Sequence, residues 1–406
     1  MKPSVIEEFL HSLPQGQRHA WFGEEPVVKA FAFDFLKGTN ARLPKEMHGA
    51  FDAVWLVEKP LIHFPRQWRA IADEAIRLLK TEGHIIAFFP DNNAAIQLKN
   101  VLWRSLSLRA ELVAQDQFAN GSANAIFKIE RLLQHLYKDD SWTIGILSDG
   151  RKVEVVKRLV SKLESIKGHR QIEYVIAGPK IDFSPGLNVR YVMPERNDDL
   201  PRIGEKKLLI ANEARNINLA LFHDRYAVND DFFAGFDDFG YDFDFVTVAQ
   251  TYEDGEFFPG YLSFRQKTLY CQLVEYTEDF NSMLEGTWVN GGLIILKTHI
   301  AKKINFNSLL LHNEAEDVEQ AFLLQEHGIY PRVNPLSSAV TVGTSVNHTA
   351  TYAKISGQDA LASLPPPARK KWNPVLAVWM TLPSDARVKF KKSPTFLAIR
   401  RTLIGR

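Results

Sequence analysis

The sequence predicts an α/β protein built on a mostly parallel sheet. Apolar runs of strand length alternate with segments of helical periodicity, and this alternation occurs twice along the chain. Short polar groups also stand directly after apolar runs, at the carboxyl ends of the expected strands, where sheets of this kind bind ligands.

In the first stretch, FDAVWLV (51–57) reads as a strand, and residues 67–80 carry apolar positions at Trp68, Ile71, Ala75, Ile76, Leu78 and Leu79. Gly83 is expected to stop that helix before a second strand, HIIAFF (84–89). The alternation restarts at TIGILSDG (143–150). A helix over 152–166 is expected to bury Val153, Val156, Leu159, Val160 and Leu163, and the strand IEYVIAG (172–178) follows it. A further helix then leads to INLALF (217–222), which ends abruptly in His223-Asp224-Arg225. Three regions are expected: a small α/β domain over 1–140, a larger one over 141–345, and an extension over 346–406 that is rich in Lys, Arg and aromatic residues.

Composition narrows the classes of function. A formal net charge of +1 argues against a dedicated nucleic-acid binder. The single cysteine, Cys271, excludes an intrachain disulfide and a cysteine metal cluster, which fits a reducing compartment such as the cytoplasm. The opening MKPSVIEEFLHSLPQ lacks the basic start and apolar core of a secretory signal, and no run of about 18 apolar residues offers a membrane span.

Four motifs in order carry a resemblance. They are TIGILSDGR (143–151), EKKLLIANEARNINLALFHDRY (205–226), WVNGGLIILK (288–297) and NEAEDVEQAFLLQEHG (313–328). Together they resemble an inverting glycosyltransferase of the GT-A fold, similar to the large family 2 group, over about half of the chain. The resemblance implies a nucleotide-sugar donor and a glycan or lipid-linked acceptor. Ser148, Asp149 and Gly150 would meet the nucleotide. His223, Asp224, Arg225, Lys206 and Lys207 would meet its diphosphate, and Asn290, Gly291 and Gly292 would border the acceptor. Asp317 would be the catalytic base at the start of a helix, with Glu316 the second candidate, pointing elsewhere. Each residue also has a plainer reading: first-turn acids that suit the helix dipole, solvated helix lysines, turn formers at Asp-Gly and Gly-Gly.

The family carries Asp-x-Asp where this chain has His223-Asp224-Arg225. Asp224 and His223 are therefore the candidate ligands for Mg²⁺ or Mn²⁺, and Arg225 is a candidate substitute for part of the metal's charge. The literal Asp-x-Asp at Asp242-Phe243-Asp244 precedes a strand (245–250), so it stands at the wrong end for a ligand and reads as a surface loop or part of an acceptor pocket. Residues 51–89 resemble the second half of a class I methyltransferase, but 1–50 lack the Gly-x-Gly-x-Gly turn that cradles its cofactor. This implies a truncated, non-catalytic domain. The basic aromatic extension suits an anionic membrane surface. The alternatives are an S-adenosylmethionine-dependent methyltransferase and a non-catalytic scaffold of a polysaccharide assembly complex.

Overall fold

The computed structural model describes residues 4–12, 14, 16–35, 41–64, 67–90, 106–118, 120–194, 200–264, 274–282, 286–312, 314–344 and 352–355. Met1–Gln358 form one compact unit. Cys271 and nearly all of the basic extension lie outside the described residues.

The chain begins with α1 (Val5–Ser12), β1 (His19–Phe22), β2 (Phe31–Phe33) and β3 (Phe51–Leu56). It continues through α2 (Trp68–Leu78), β4 (Leu79–Phe89), β5 (Leu108–Gln117) and β6 (Ala123–Arg131). These strands pair in the order β2-β1-β3-β4-β6-β5, parallel from β2 to β4 and antiparallel around β6. Gly83 does not stop the helix as expected. The helix already ends at Leu78, and β4 runs from Leu79 straight through Gly83. The pairing of β3 with β4 shifts register between Phe51 and Ala53, and a Cβ on Gly83 would lie 2.9 Å from the Asp52 carbonyl oxygen. The glycine thus permits a bulge and close backbone approach inside a strand.

The second half runs β7 (Trp142–Leu147), α3 (Val153–Ile166), β8 (Ile172–Ala177), β9 (Val189–Val192), α4 (Ile203–Glu213), β10 (Asn218–His223) and β11 (Tyr226–Val228). It continues with α5 (Asp231–Phe239), β12 (Phe245–Tyr252), β13 (Tyr261–Phe264), β14 (Val274–Tyr276), β15 (Trp288–Val289) and β16 (Leu293–Lys297). The last described elements are α6 (Thr298–Ile304), α7 (Glu316–Glu326), β17 (Arg332–Thr341) and β18 (Ala353–Lys354). Eight of these strands form one sheet in the order β11-β17-β12-β16-β10-β7-β8-β9. The β10-β7-β8-β9 and β12-β17 pairings are parallel; β16 runs against both of its neighbours. A four-stranded sheet, β15-β13-β14-β18, stands beside it in sequence and completes the unit. The protein is thus of the α/β class, with mixed sheets. The apolar stripe of α3 does what its spacing predicts: Val156, Leu159, Val160 and Leu163 are buried in the core beside Trp142, Ile144 and Ile146 of β7.

Residues 231–244 correct the expectation of a surface loop. Phe232, Phe233, Phe236 and Phe239 recur at helical spacing and bury one face of α5, with Trp142 among their ring contacts. Asp242 and Asp244 are only 7% and 2% exposed. Arg77 of α2 donates to Asp242 at 2.5 Å and to Asp244 at 3.2 Å, Arg131 donates to Asp242 at 2.6 Å, and the Tyr137 hydroxyl donates to Asp244. These partners lie more than a hundred positions away in the chain, so no local pattern announces them. The same bonds join the two large sheets: α2 buries Asp73, Glu74 and Arg77, and Arg332 of β17 reaches Glu74 at 3.4 Å.

Candidate functional site

Two facts of strand direction assemble one edge of the large sheet. β7 and β10 run parallel, so Ser148-Asp149-Gly150 and His223-Asp224-Arg225 emerge side by side. β16 runs antiparallel to β10, with Phe222 opposite Leu293, so the turn before β16 arrives at the same edge. There the His223 amide donates to the Gly292 carbonyl at 2.9 Å. The Asp242-Phe243-Asp244 segment stands at the other edge, because Phe245 pairs with Leu296 and the Lys297 amide bonds the Asp244 carbonyl. Six residues of β10 separate the two ends, roughly 17 Å at strand rise.

On the β7 side, the Asp224 carboxylate accepts from the Ser148 hydroxyl at 3.2 Å and the Asp149 amide at 3.3 Å. Asp149 in turn accepts from the Arg151 amide at 2.9 Å and its Nε at 2.7 Å, and Arg151 holds its carboxyl below the usual range. Gly150 turns with φ +82°, where a side chain would be strained. Lys206 of α4 donates from Nζ to the Ser148 carbonyl at 2.7 Å, and burial lowers its pKa against the pull of Asp149 and Asp224. The lysines are therefore not solvated helix residues. Lys207, the next residue, is fully buried and donates to Glu316 Oε1 at 3.1 Å.

Around the glycine turn, Asp317 Oδ2 accepts from the Gly291 amide at 3.0 Å, and Asn290 Oδ1 accepts from the Gly292 amide at 3.1 Å. Burial first, and then the charge of Glu316, push the Asp317 carboxyl above its ordinary value. Glu316 does not point elsewhere, as adjacent helical positions suggested. A Cβ on Gly291 would meet Glu316 Oε1 at 2.5 Å, Asp317 Cβ at 3.1 Å and Lys207 Nζ at 3.2 Å. At the first turn of α7 both acids fold back toward this turn, drawn by the Gly291 amide and the Lys207 ammonium. Gly292 is equally crowded, by Tyr226 and by Arg225 at 3.0 Å. Both glycines are thus demanded by the protein's own side chains.

At this edge His223 and Asp224 are the residues that a divalent cation would take as ligands. His223 is the last residue of β10 and Asp224 the first of the turn after it. His223 Nε2 is buried with no hydrogen-bond partner; burial, then Lys207 and Arg225, drive its pKa well below the usual histidine value. Asp224 instead faces Ser148 and Asp149. The two have different surroundings, and among the described residues no group of three or more His, Cys, Asp or Glu side chains could hold a metal ion. The donor set does not fit a metal centre.

Several residues that shape this edge escaped the sequence reading. Gly204 lets α4 press against the 307–310 segment, since a Cβ there would overlap the Asn307 carbonyl. Gly178 does the same for the Ser148 carbonyl. Tyr352 packs with Val318, Trp288 and Leu262, and the charges of Asp317 and Arg225 act on its hydroxyl. Their partners all lie far off in the chain, so no local pattern marks them.

No protein-family model matches the chain, and no curated protein matches it. Solved structures do. TarS from S. aureus (residues 1–349) is 15% identical over 54% of this chain and 62% of its own, with a TM-score of 0.30. GalNAc-T7, crystallised with UDP, GalNAc and Mn²⁺, is 11% identical over 52% of this chain and 45% of its own, with a TM-score of 0.38. A Bacillus anthracis protein described as a glucose-1-phosphate thymidylyltransferase is 12% identical over 52% of this chain and 93% of its own, with a TM-score of 0.30. The chain spans less than two thirds of the first two, and at these TM-scores all three are likenesses only.

Proposed function

We propose that this protein is a glycosyltransferase of the GT-A type, taking a sugar from a nucleotide donor to an acceptor hydroxyl with inversion. The observation that carries the reading is the meeting of two chemistries at one sheet edge. Lys206, Arg225 and the Ser148–Gly150 turn gather where strands β7 and β10 end. Beside them a buried carboxylate, Asp317, is held by the Gly291 amide. A base of raised pKa suits removal of a hydroxyl proton better than an ordinary aspartate does. The acceptor oxygen would then attack the anomeric carbon as its bond to the diphosphate breaks, and the departing charge would need cations nearby. Asn290 and the turn it opens would border the acceptor.

The sheet order β2-β1-β3-β4-β6-β5, parallel and then reversed at β6, supports a truncated methyltransferase-like origin for the first region. Glu58 supports its lack of cofactor binding. Its carboxylate accepts from the Glu24 amide at 2.9 Å, the Glu25 amide at 3.0 Å and Trp21 Nε1 at 2.5 Å, so it fills the turn after β1 that a cofactor would need. Among the described residues no helix is long and apolar enough to cross a membrane. A lipid-linked acceptor, a role in surface polysaccharide synthesis and docking at a cytoplasmic membrane face through the basic extension belong to the same proposal. Incubation with a panel of nucleotide sugars, scored by release of nucleoside diphosphate and by thermal shift, tests it. Stabilisation by a nucleotide sugar together with turnover supports the reading. Saturable binding of S-adenosylmethionine in place of any nucleotide sugar would contradict it.

A further inference from the structure

We propose that the donor's diphosphate is neutralised by Lys206 and Arg225 of this chain, without a resident divalent metal. The inference rests on the nucleotide-sugar reading above and goes beyond it, because the sequence resemblance implies a metal at this place.

Charge matching at this edge is uneven. Most ionic side chains at this edge already have partners: Lys207 holds Glu316 at 3.1 Å, and Arg151 holds Asp149. Lys206 and Arg225 are the exceptions. Among the described residues neither has a carboxylate within ion-pair distance. Lys206 is anchored at the end of β7 by the Ser148 carbonyl, so its position is set, and Asp149 and Asp224 act on its charge without pairing with it. Arg225 stands over the Tyr226 and Phe258 rings, 5.7 and 5.9 Å from their centroids, with a buried Nε that has no hydrogen-bond partner. A planar guanidinium fixed in this way is suited to two phosphate oxygens at once, and an ammonium serves as the compact second charge. A bridging metal would need carboxylate oxygens turned toward the phosphates. The one carboxylate at the end of β10, Asp224, directs its Oδ2 to the Ser148 hydroxyl and the Asp149 amide. Asp224 is then a positioning residue that shapes the nucleotide turn.

The transfer step balances with these groups alone. The acceptor hydroxyl gives its proton to Asp317, and its oxygen forms the new bond to the anomeric carbon. The bond from that carbon to the phosphate oxygen breaks, and its electron pair leaves on the diphosphate, where Lys206 and Arg225 meet the new charge.

Calorimetry on the full chain with UDP, GDP, CDP and ADP tests the proposal, each titrated after EDTA treatment and again with Mg²⁺ or Mn²⁺. At least one diphosphate is expected to bind in EDTA, with an affinity that changes by less than about threefold when metal is added. Lys206→Gln and Arg225→Gln are each expected to weaken it about tenfold or more, the size of a lost charge-assisted hydrogen bond. Binding that appears only with the metal overturns the proposal and leaves the nucleotide-sugar reading standing. Absence of binding under both conditions overturns the two together. The wild-type comparison does not depend on how well either variant folds.

Discussion

Two ionic clusters sit at opposite edges of the same eight-stranded sheet, and they differ in how their charges are matched. At the amino end of β10, Asp242 and Asp244 are buried among Arg77, Arg131 and Tyr137, and the arginines hold Asp242 well below the usual carboxylate range. That cluster is closed within the chain and joins the two large sheets. At the carboxyl end, Lys206 bonds the Ser148 carbonyl and Lys207 takes Glu316, and among the described residues neither Lys206 nor Arg225 is in an ion pair. Charge whose partner lies in the chain maintains the fold, and charge left over is available to a ligand. A motif search on residue types alone lands on the closed cluster, because the literal Asp-x-Asp belongs to it.

The largest expected effect breaks the closed cluster. Arg77→Ala leaves Asp73, Asp242 and Asp244 buried beside one cation fewer and should cost about 3–5 kcal/mol in chemical denaturation. Nucleotide affinity of the folded fraction should be unaltered; a parallel loss of affinity would mean that the two edges are coupled. Next in size is Asp317→Asn, which should lower turnover about 10²-fold, or about 2.7 kcal/mol in barrier, with donor affinity near normal. Wild-type turnover in that variant removes Asp317 from the chemistry. Gly291→Ala drives a methyl into Glu316 Oε1 and should cost about 1–3 kcal/mol of stability, readable as a fall in melting temperature. The smallest effect is on pH dependence. The base works ionised, so activity should fall as pH drops through a pKa above that of an ordinary aspartate. Glu316→Gln removes a charge that raises this pKa and releases Lys207, which lowers it, so the acid limb of kcat/KM should move to lower pH. A limb that stays in place separates Glu316 from the base.

Much of this edge was legible in the sequence because its parts are local: an apolar run, then a short polar group, as at Leu147-Ser148 and Phe222-His223. Helix periodicity was equally readable in α3, where one apolar stripe faces one core. It held in α2, whose Trp68, Ile71, Ala75, Ile76 and Leu78 are buried, and it was missed in α5, which the aromatic-acidic composition disguised as a loop. α5 buries its phenylalanines against Trp142 and Phe222 of the same sheet, whereas α2 also buries a charged face whose partners come from the other half of the chain. Glu74 and Arg77 find those partners in Arg332 and Asp242. Glu316 was misdirected by the rule for helix interiors, since at a first turn the side chain is steered by the amide and cation it meets. The glycine at 83 carried the composition of a stop signal, yet its reason is a strand approaching the Asp52 carbonyl.

The central claim is that the carboxyl edge of β7 and β10 receives the donor. A structure of the protein with the nucleoside diphosphate that binds it most tightly tests this directly. The account predicts the diphosphate within hydrogen-bond distance of Lys206 and Arg225, its base near Ser148-Asp149-Gly150, and its free end directed toward Asp317. A nucleotide found instead in the groove lined by Arg18, His19 and Phe31 at the first sheet would contradict it.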